Sequence, residues 1–485
     1  MSKKKHKAAP ARTKTSARRN AKYYDGLQQA QWLIQRKRAL EALTLLQEMQ
    51  KSYPHDEELL ARLVNVCINL KDSTSYQHYA EQLLPMRPED PNLLLGLASA
   101  YMSNLYPALA AQTFRRFLEL HPDYPKAGEV RQSLAEIEAV LDAQLPGLGL
   151  TGPDRLELAV LHERMNVVLS TREFAQGRKI GQQLLSRQPT FIPAHNNLSI
   201  MEFGEGKSQQ AIERARYVLT LEPDNYQALG NLTRYLTLTG QSDEAQRTLQ
   251  RLLAIDGEDL ELFMKQVETL AYVGEDQALL EVYQRAAARG YHNPPLTNPG
   301  LHHLTAVAAL RLGQEKQARD LWRQALKLRP GLGVARDNLA DLQQPVEKRH
   351  APWSFSLQQW VPPPVLESVR KQWPRAAGSR RKDASREAVL RILKQHPELV
   401  ALTGILLDRG DPTGRTFALD LALSARTPEM LQALRDFALG QRGPDELRIR
   451  AAQELSRDGL LPEGPVRTWV KGRWQELSHY QFEID

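Results

Sequence analysis

Along most of the chain, helical stretches are closed by proline at a near-constant interval. Pro54, Pro88 and Pro122 lie 34 residues apart; Pro189 and Pro223 repeat that interval, Gly257 takes the next slot, and Pro330 follows later. Twelve residues before these turns a small side chain recurs at Ala42, Ala110, Ala211, Ala245 and Ala318. Five residues ahead of that slot stand Gly206, Gly240, Gly274 and Gly313. The pattern predicts a helix, a tight turn, a second helix and a terminating proline, because alanine lets two helices cross closely and glycine tolerates the turn backbone. A lone pair cannot bury its apolar face. Stacked pairs can, which predicts an all-α fold built as an α-α superhelical solenoid.

This pattern resembles the tetratricopeptide repeat family, most clearly at Leu94, Leu97, Tyr101, Ala110, Phe114, Phe117 and Pro122, and again over residues 301–330. The resemblance covers roughly residues 23–344. Tyr76, Gly177 and Leu279 depart from it, standing where the family prefers alanine. One long helix over 126–145 and a Gly/Pro loop at 146–153 are expected to divide the array into blocks 23–145 and 154–344, with an insertion at 292–299.

The resemblance implies that the first helix of each pair lines a concave groove. On that placement Gln31, Gln35, Asn65, Asn69, Asn166, Asn196, Asn197, Asn231 and Arg234 lie on or near it. Side-chain amides donate and accept, so such a row can pair with the backbone of an extended peptide; the plainer alternative is that its members cap or solvate helices. Arg62 and Asn65 resemble part of the family's carboxylate clamp, but Leu27 and Ala61 stand where its lysines belong, so that specificity is not carried over.

Residues 345–383 leave the period and gather Trp353, Phe355, Trp360 and Trp373 among Pro352, Pro362, Pro363, Pro364 and Pro374. They read as a cap over the end of the last repeat or as a proline-rich ligand segment. From 384 to about 460 the helices shorten and begin with proline, which suits a first turn whose N–H groups are unpaired anyway. Asp411, Arg415, Ala418 and Leu421, then Asp445, Arg448, Ala451 and Leu455, are similar to HEAT-type helical repeats, which implies an Asp/Arg ladder along the turns. The stretch 461–485 changes period again. Residues 466–470, Lys471-Gly472 and 473–477 predict a hairpin, and alternating Tyr480, Phe482 and Ile484 a third short strand. Trp469 and Trp474 would supply its packing or form an exposed patch.

Charge modifies this picture locally. Sixty-four Lys and Arg against 57 Asp and Glu give +7. Nine positive charges, Lys3, Lys4, Lys5, Lys7, Arg12, Lys14, Arg18, Arg19 and Lys22, fall within residues 1–22, which hold no acid. The other 463 residues therefore carry −2. A second basic stretch, Arg370 to Arg391, adds +6 of its own. The tail lacks apolar periodicity and reads as a disordered extension, either solubilising or neutralising phosphates of nucleic acid nonspecifically; in a nucleated cell Lys3 to Lys7 would also suit nuclear import. It has no aromatic residue to stack bases. No apolar run follows it, and nowhere do about 18 apolar residues follow one another, so neither a secretory signal nor a spanning helix is expected. Lone Cys67 forms no internal disulfide and no thiolate zinc site. The expectation is a cytoplasmic protein with no membrane contact, no metal and no cofactor.

Catalytic motifs fail on their own terms. Gly206-Lys207-Ser208 resembles the end of a phosphate loop, but Met201 stands where glycine is required and a helix precedes it. His162-Glu163 has Asn166 in place of a second histidine, and adjacent His302 and His303 point to different helix faces. Asp408 to Arg415 reads as a helix-entry turn. No nucleophile, base and oxyanion donor converge, so a non-enzymatic scaffold or adaptor binding a protein segment leads. A nucleic-acid- or ribosome-associated role through the tail, and an assembly subunit docking through the aromatic linker, are the alternatives.

Overall fold

In a computed structural model the chain is described over residues 20–373, 382–462 and 464–478. It divides into two compact units, Met1–Glu163 and Arg164–Asp485. In the first, helices pair as α1 (Ala21–Gln35) with α2 (Ala39–Ser52), α3 (Glu57–Leu70) with α4 (Ser73–Leu83), and α5 (Pro91–Ser103) with α6 (Pro107–Leu120). Then come α7 (Ala127–Gln144), a short 3-10 turn at Leu145–Leu148, and α8 (Arg155–Ser170). The boundary between the units falls after Glu163, within α8. In the first unit the Glu163 carboxylate accepts the N–H groups of Ala108 and Leu109 at 2.9 and 2.7 Å, satisfying the first turn of α6.

The second unit continues with α9 (Phe174–Arg187), α10 (Ile192–Gly204), α11 (Ser208–Leu221), α12 (Tyr226–Leu238), α13 (Ser242–Leu253), α14 (Leu260–Val273) and α15 (Asp276–Ala288). After these come α16 (Pro299–Arg311), α17 (Glu315–Leu328) and α18 (Gly333–Asp341). Beyond the linker lie α19 (Leu357–Trp360), α20 (Pro363–Gln372), α21 (Lys382–Gln395), α22 (Glu398–Arg409), α23 (Pro412–Ala425), α24 (Pro428–Ala438) and α25 (Asp445–Arg457). One apolar core joins residues from Phe203 to Leu461, so the later helices are not a separate body. Among the described residues no helix is long and apolar enough to cross a membrane.

The crossing alanines Ala42, Ala110, Ala211, Ala245 and Ala318 are all buried. Where that slot departs from alanine, the facing helix adjusts. Tyr76 lies against Gly96, whose added Cβ would begin 2.0 Å from the tyrosine hydroxyl; Gly177 admits Met201, whose Cε lies 2.4 Å from where a Cβ would stand. The space between helices is conserved by exchanging large and small across it.

The turn slot is left-handed throughout. Lys37, Lys71, Leu105 and Arg172 have φ of 54° to 63°, and Gly206, Gly240, Gly274 and Gly313 have φ of 79° to 93°. In three of the glycines a later element explains the residue as well as the turn does. A Cβ on Gly206, Gly240 or Gly274 would meet Val365 at 3.3 Å, Ala401 at 3.2 Å or Arg409 at 1.6 Å. The C-terminal helices of this unit thus lie on the turns that follow α10, α12 and α14.

The end of the described chain is an antiparallel hairpin, β1 (Val466–Val470) with β2 (Arg473–Leu477), in which Trp469 faces Trp474. Lys471 and Gly472 both have positive φ, as a two-residue hairpin turn requires. Trp474 is partly exposed beneath the Arg467 guanidinium, and Trp469 is half-buried. The expected third strand at Tyr480, Phe482 and Ile484 lies outside the described residues.

Candidate interaction surfaces

Among the described residues, the first unit leaves its first-helix face open at corresponding positions of successive repeats. Gln31 and Asn65 share one slot, Gln35 and Asn69 the next on the same face, and Ile68 and Met102 another, each pair 34 residues apart. Gln35, Asn65 and Asn69 are exposed; Asn69 donates to the Asn65 carbonyl of its own helix, and Gln31 accepts from Arg62 Nη1 at 3.0 Å. On these helices Ile68 is 58% exposed and Met102 40%, and Leu105 in the turn after α5 is 82% exposed.

The second unit differs. Asn196 and Asn231 are buried, and Asn166 and Asn197 half-buried. Asn197 donates to Asn166 at 2.5 Å, Asn196 to Asn225 Oδ1 at 3.1 Å, and Asn231 accepts from Lys265 Nζ at 3.2 Å. In this row each amide is bonded to a neighbouring repeat, while Asn196 Oδ1 and Asn231 Nδ2 are buried without a hydrogen-bond partner.

What meets the first helices here is the chain's own linker. Asn338 of α18 donates to the Trp353 carbonyl at 3.1 Å and accepts from the Trp353 N–H at 3.0 Å. His303 Nε2–H donates to the Ser354 carbonyl at 2.9 Å, while its Nδ1 accepts from Trp322 Nε1 at 3.0 Å. Arg172 donates to the Gln358 carbonyl at 3.1 Å and Arg234 to the Gln359 carbonyl at 2.9 Å. Phe355 stacks on Tyr272 at 4.0 Å between ring centres, and Trp360 meets the same ring edge-on at 5.2 Å. Arg172 in the turn after α8 and side chains from α12, α16 and α18 thus read the linker backbone as a peptide groove would, while the aromatic ring of Tyr272 on α14 packs against Phe355 and Trp360. Trp353 meets the last helix as a cap should. Phe355 and Trp360 go further, onto α14, and Trp353, Phe355 and Trp360 are buried, so they are not presented to another protein. Arg234, expected on an open groove, lies beneath this segment with its guanidinium 4.3 Å from the Tyr272 ring.

The Asp/Arg pairs of the later helices do not form the ladder that the HEAT resemblance implies. Buried Arg415 donates to the Leu407, His350 and Asp408 carbonyls, and burial lowers its guanidinium pKa to about 10. Arg448 pairs with Asp445 in its own helix and donates to the Gly443 and Trp469 carbonyls, each at 2.7 Å. Both arginines tie together turns whose carbonyls would otherwise be buried unpaired. The basic tail residues Lys3, Lys4, Lys5, Lys7, Arg12, Lys14, Arg18 and Arg19 lie outside the described residues; Lys22 is exposed in the first turn of α1, which Asn20 caps by accepting the Tyr23 N–H. The core of the 370–391 stretch, residues 374–381, also lies outside them.

Sequence reasoning missed His303, Asn338 and Arg172 as groove residues. Arg172 carried one readable signal, since it occupies the slot filled by glycine in the following repeats.

A family model described as tetratricopeptide repeat matches residues 202–266, which span α11, α12, α13 and parts of α10 and α14. Among solved structures, the chain is similar to a tetratricopeptide repeat protein from Parabacteroides merdae ATCC 43184, at 12% identity over 59% of this chain and 97% of that one, with a TM-score of 0.34. It is also similar to the P58(IPK) TPR domain, at 12% identity over 67% of this chain and 98% of that one, with a TM-score of 0.24. No curated protein matches the sequence. The tetratricopeptide repeat match of residues 202–266 thus lies on helix pairs whose buried alanines and left-handed turns recur along the array.

Proposed function

We propose that the chain is a non-enzymatic interaction scaffold whose first unit receives an extended protein segment along α1, α3 and α5, while the corresponding face of the second unit holds the chain's own residues 353–361. The observation that carries this reading is the repeat-spaced row of exposed Ile68 and Met102 beside the amides of Gln35, Asn65 and Asn69. Apolar side chains give a peptide's side chains a surface to cover, and amides pair with its backbone whatever its sequence. The linker in the second unit offers a parallel in cis, where first-helix side chains and Arg172 bond the backbone of Trp353 and Ser354 and the last turn of α19.

The test is affinity capture with the full chain and a double variant, Ile68→Asp with Met102→Asp. Both positions are exposed, so the variant should fold as the native chain does. Partners captured by the native chain should be lost from the variant, and retained capture of the same partners would remove the face from consideration. A matched variant at Asn196 and Asn231 is expected to act through stability alone.

A further inference from the structure

Beneath residues 358–363 lies a cavity of about 250 Å³, the volume of roughly eight waters at about 30 Å³ each. Arg172 and Arg234 line it from one side, and Phe174, Phe203 and Tyr272 supply aromatic walls. Glu268 lines it too and keeps 36% of its side chain exposed, so solvent reaches the space.

The charges do not balance. Glu268 is engaged by Lys265 Nζ at 3.2 Å, and burial, which would raise its carboxyl pKa, is outweighed by Lys265 and Arg234, which hold it below the usual range. Each arginine hydrogen-bonds a linker carbonyl, and against the two guanidiniums the cavity lining sets the carboxylate of Glu268, which Lys265 also engages. The Arg234 guanidinium is fixed over Tyr272 and Phe203, and its Nε is buried with no hydrogen-bond partner. An unmatched buried donor on a cation is costly unless something accepts from it. Arg172, for its part, holds a left-handed φ of 62° in a slot that the next repeats fill with Gly206 and Gly240. The earlier repeats hold the same slot with Lys37, Lys71 and Leu105, so the turn accepts a side chain there.

We propose that this cavity binds a phosphate monoester carried on a small aromatic molecule. Two guanidiniums beside one carboxylate that Lys265 already engages leave the lining positive and suit a dianion, since their planar forks match phosphate oxygens. Stacking with Phe355, Tyr235 and Arg234 covers the faces of Tyr272 and Phe203, so Phe174 is the ring of the lining that suits a flat apolar body, and the linker carbonyls hold both forks in place before a ligand arrives.

Titration calorimetry on the full chain with phenyl phosphate, inorganic phosphate and benzoate, at constant ionic strength, tests this. Phenyl phosphate should bind saturably and more tightly than either of the others. Arg172→Gly, which removes the guanidinium while easing the turn, should weaken phenyl phosphate binding roughly ten-fold with the helical circular dichroism unchanged. Glu268→Gln, which removes the cavity's carboxylate, should strengthen binding, an effect no loss of structure produces. No saturable binding by phenyl phosphate, equal affinity for benzoate or for inorganic phosphate, or affinities unmoved by both substitutions would each overturn the proposal.

Discussion

Asn338 and Trp353 exchange two hydrogen bonds, side-chain amide to backbone N–H and carbonyl, as adjacent strands of a sheet would. Both groups of Trp353 are buried, so no water replaces Asn338 if it is lost. Asn338→Ala should destabilise the second unit by about 2–4 kcal/mol, two orphaned backbone groups at about 1–3 kcal/mol each less partial relaxation. Urea unfolding followed by tryptophan fluorescence measures this, and limited proteolysis within residues 345–362 should accelerate in parallel.

Gly274 and Gly313 occupy the same turn slot with similar φ, 93° and 82°, but only Gly274 is approached by a later element. Alanine at either position carries the left-handed penalty of about 1–2 kcal/mol. Gly274→Ala should add about 1–3 kcal/mol by displacing Arg409, whose neighbour Asp408 also holds Arg311 at 2.8 Å. Equal unfolding midpoints for the two variants would deny the glycine its packing role.

In the first unit, Gly96→Ala should destabilise by about 1–3 kcal/mol because the tyrosine at 76 fills the place of the new methyl. Combining it with Tyr76→Ala should recover part of that loss, since the second change opens the space the first one needs. A double-mutant cycle reads the coupling directly.

His303 titrates against the linker. Burial lowers its pKa to about 4, and its neutral form is fixed by accepting from Trp322 and donating to Ser354. A histidine depressed in the folded state adds stability that is full above its unfolded value near 6.5 and is lost as pH falls through about 4, because the unfolded chain binds the proton first. The contribution is about 3 kcal/mol. His303→Asn should flatten this part of the stability profile between pH 6.5 and 4, leaving the parts due to His162 and His350, which burial also lowers to about 4.

Much of the repeat architecture was legible because its signals are local. Proline ends helices, alanine marks close crossings, and Gly206, Gly240, Gly274 and Gly313 mark the turns by composition alone. Lys37, Lys71, Leu105 and Arg172 adopt the same left-handed turn without any such mark, so their slot became visible only from the backbone. The row of amides was legible as residue types and spacing. Whether each amide faces solvent or a neighbour was not, as Asn69 and Asn231 show.

By itself, then, the sequence determined the helix pairs, their period, the hairpin turn at Lys471-Gly472 and the residues able to line a first-helix face. Tertiary structure alone decided that the linker lies across one such face, because the bonds from Arg172 to Gln358 and from Arg234 to Gln359 span 186 and 125 residues. Backbone carbonyls carry no side-chain signature, so nothing in the residues that accept those bonds announces their donors. Helical periodicity is set within a few residues, whereas the occupant of a groove is set by which distant segment closes at the lowest free energy.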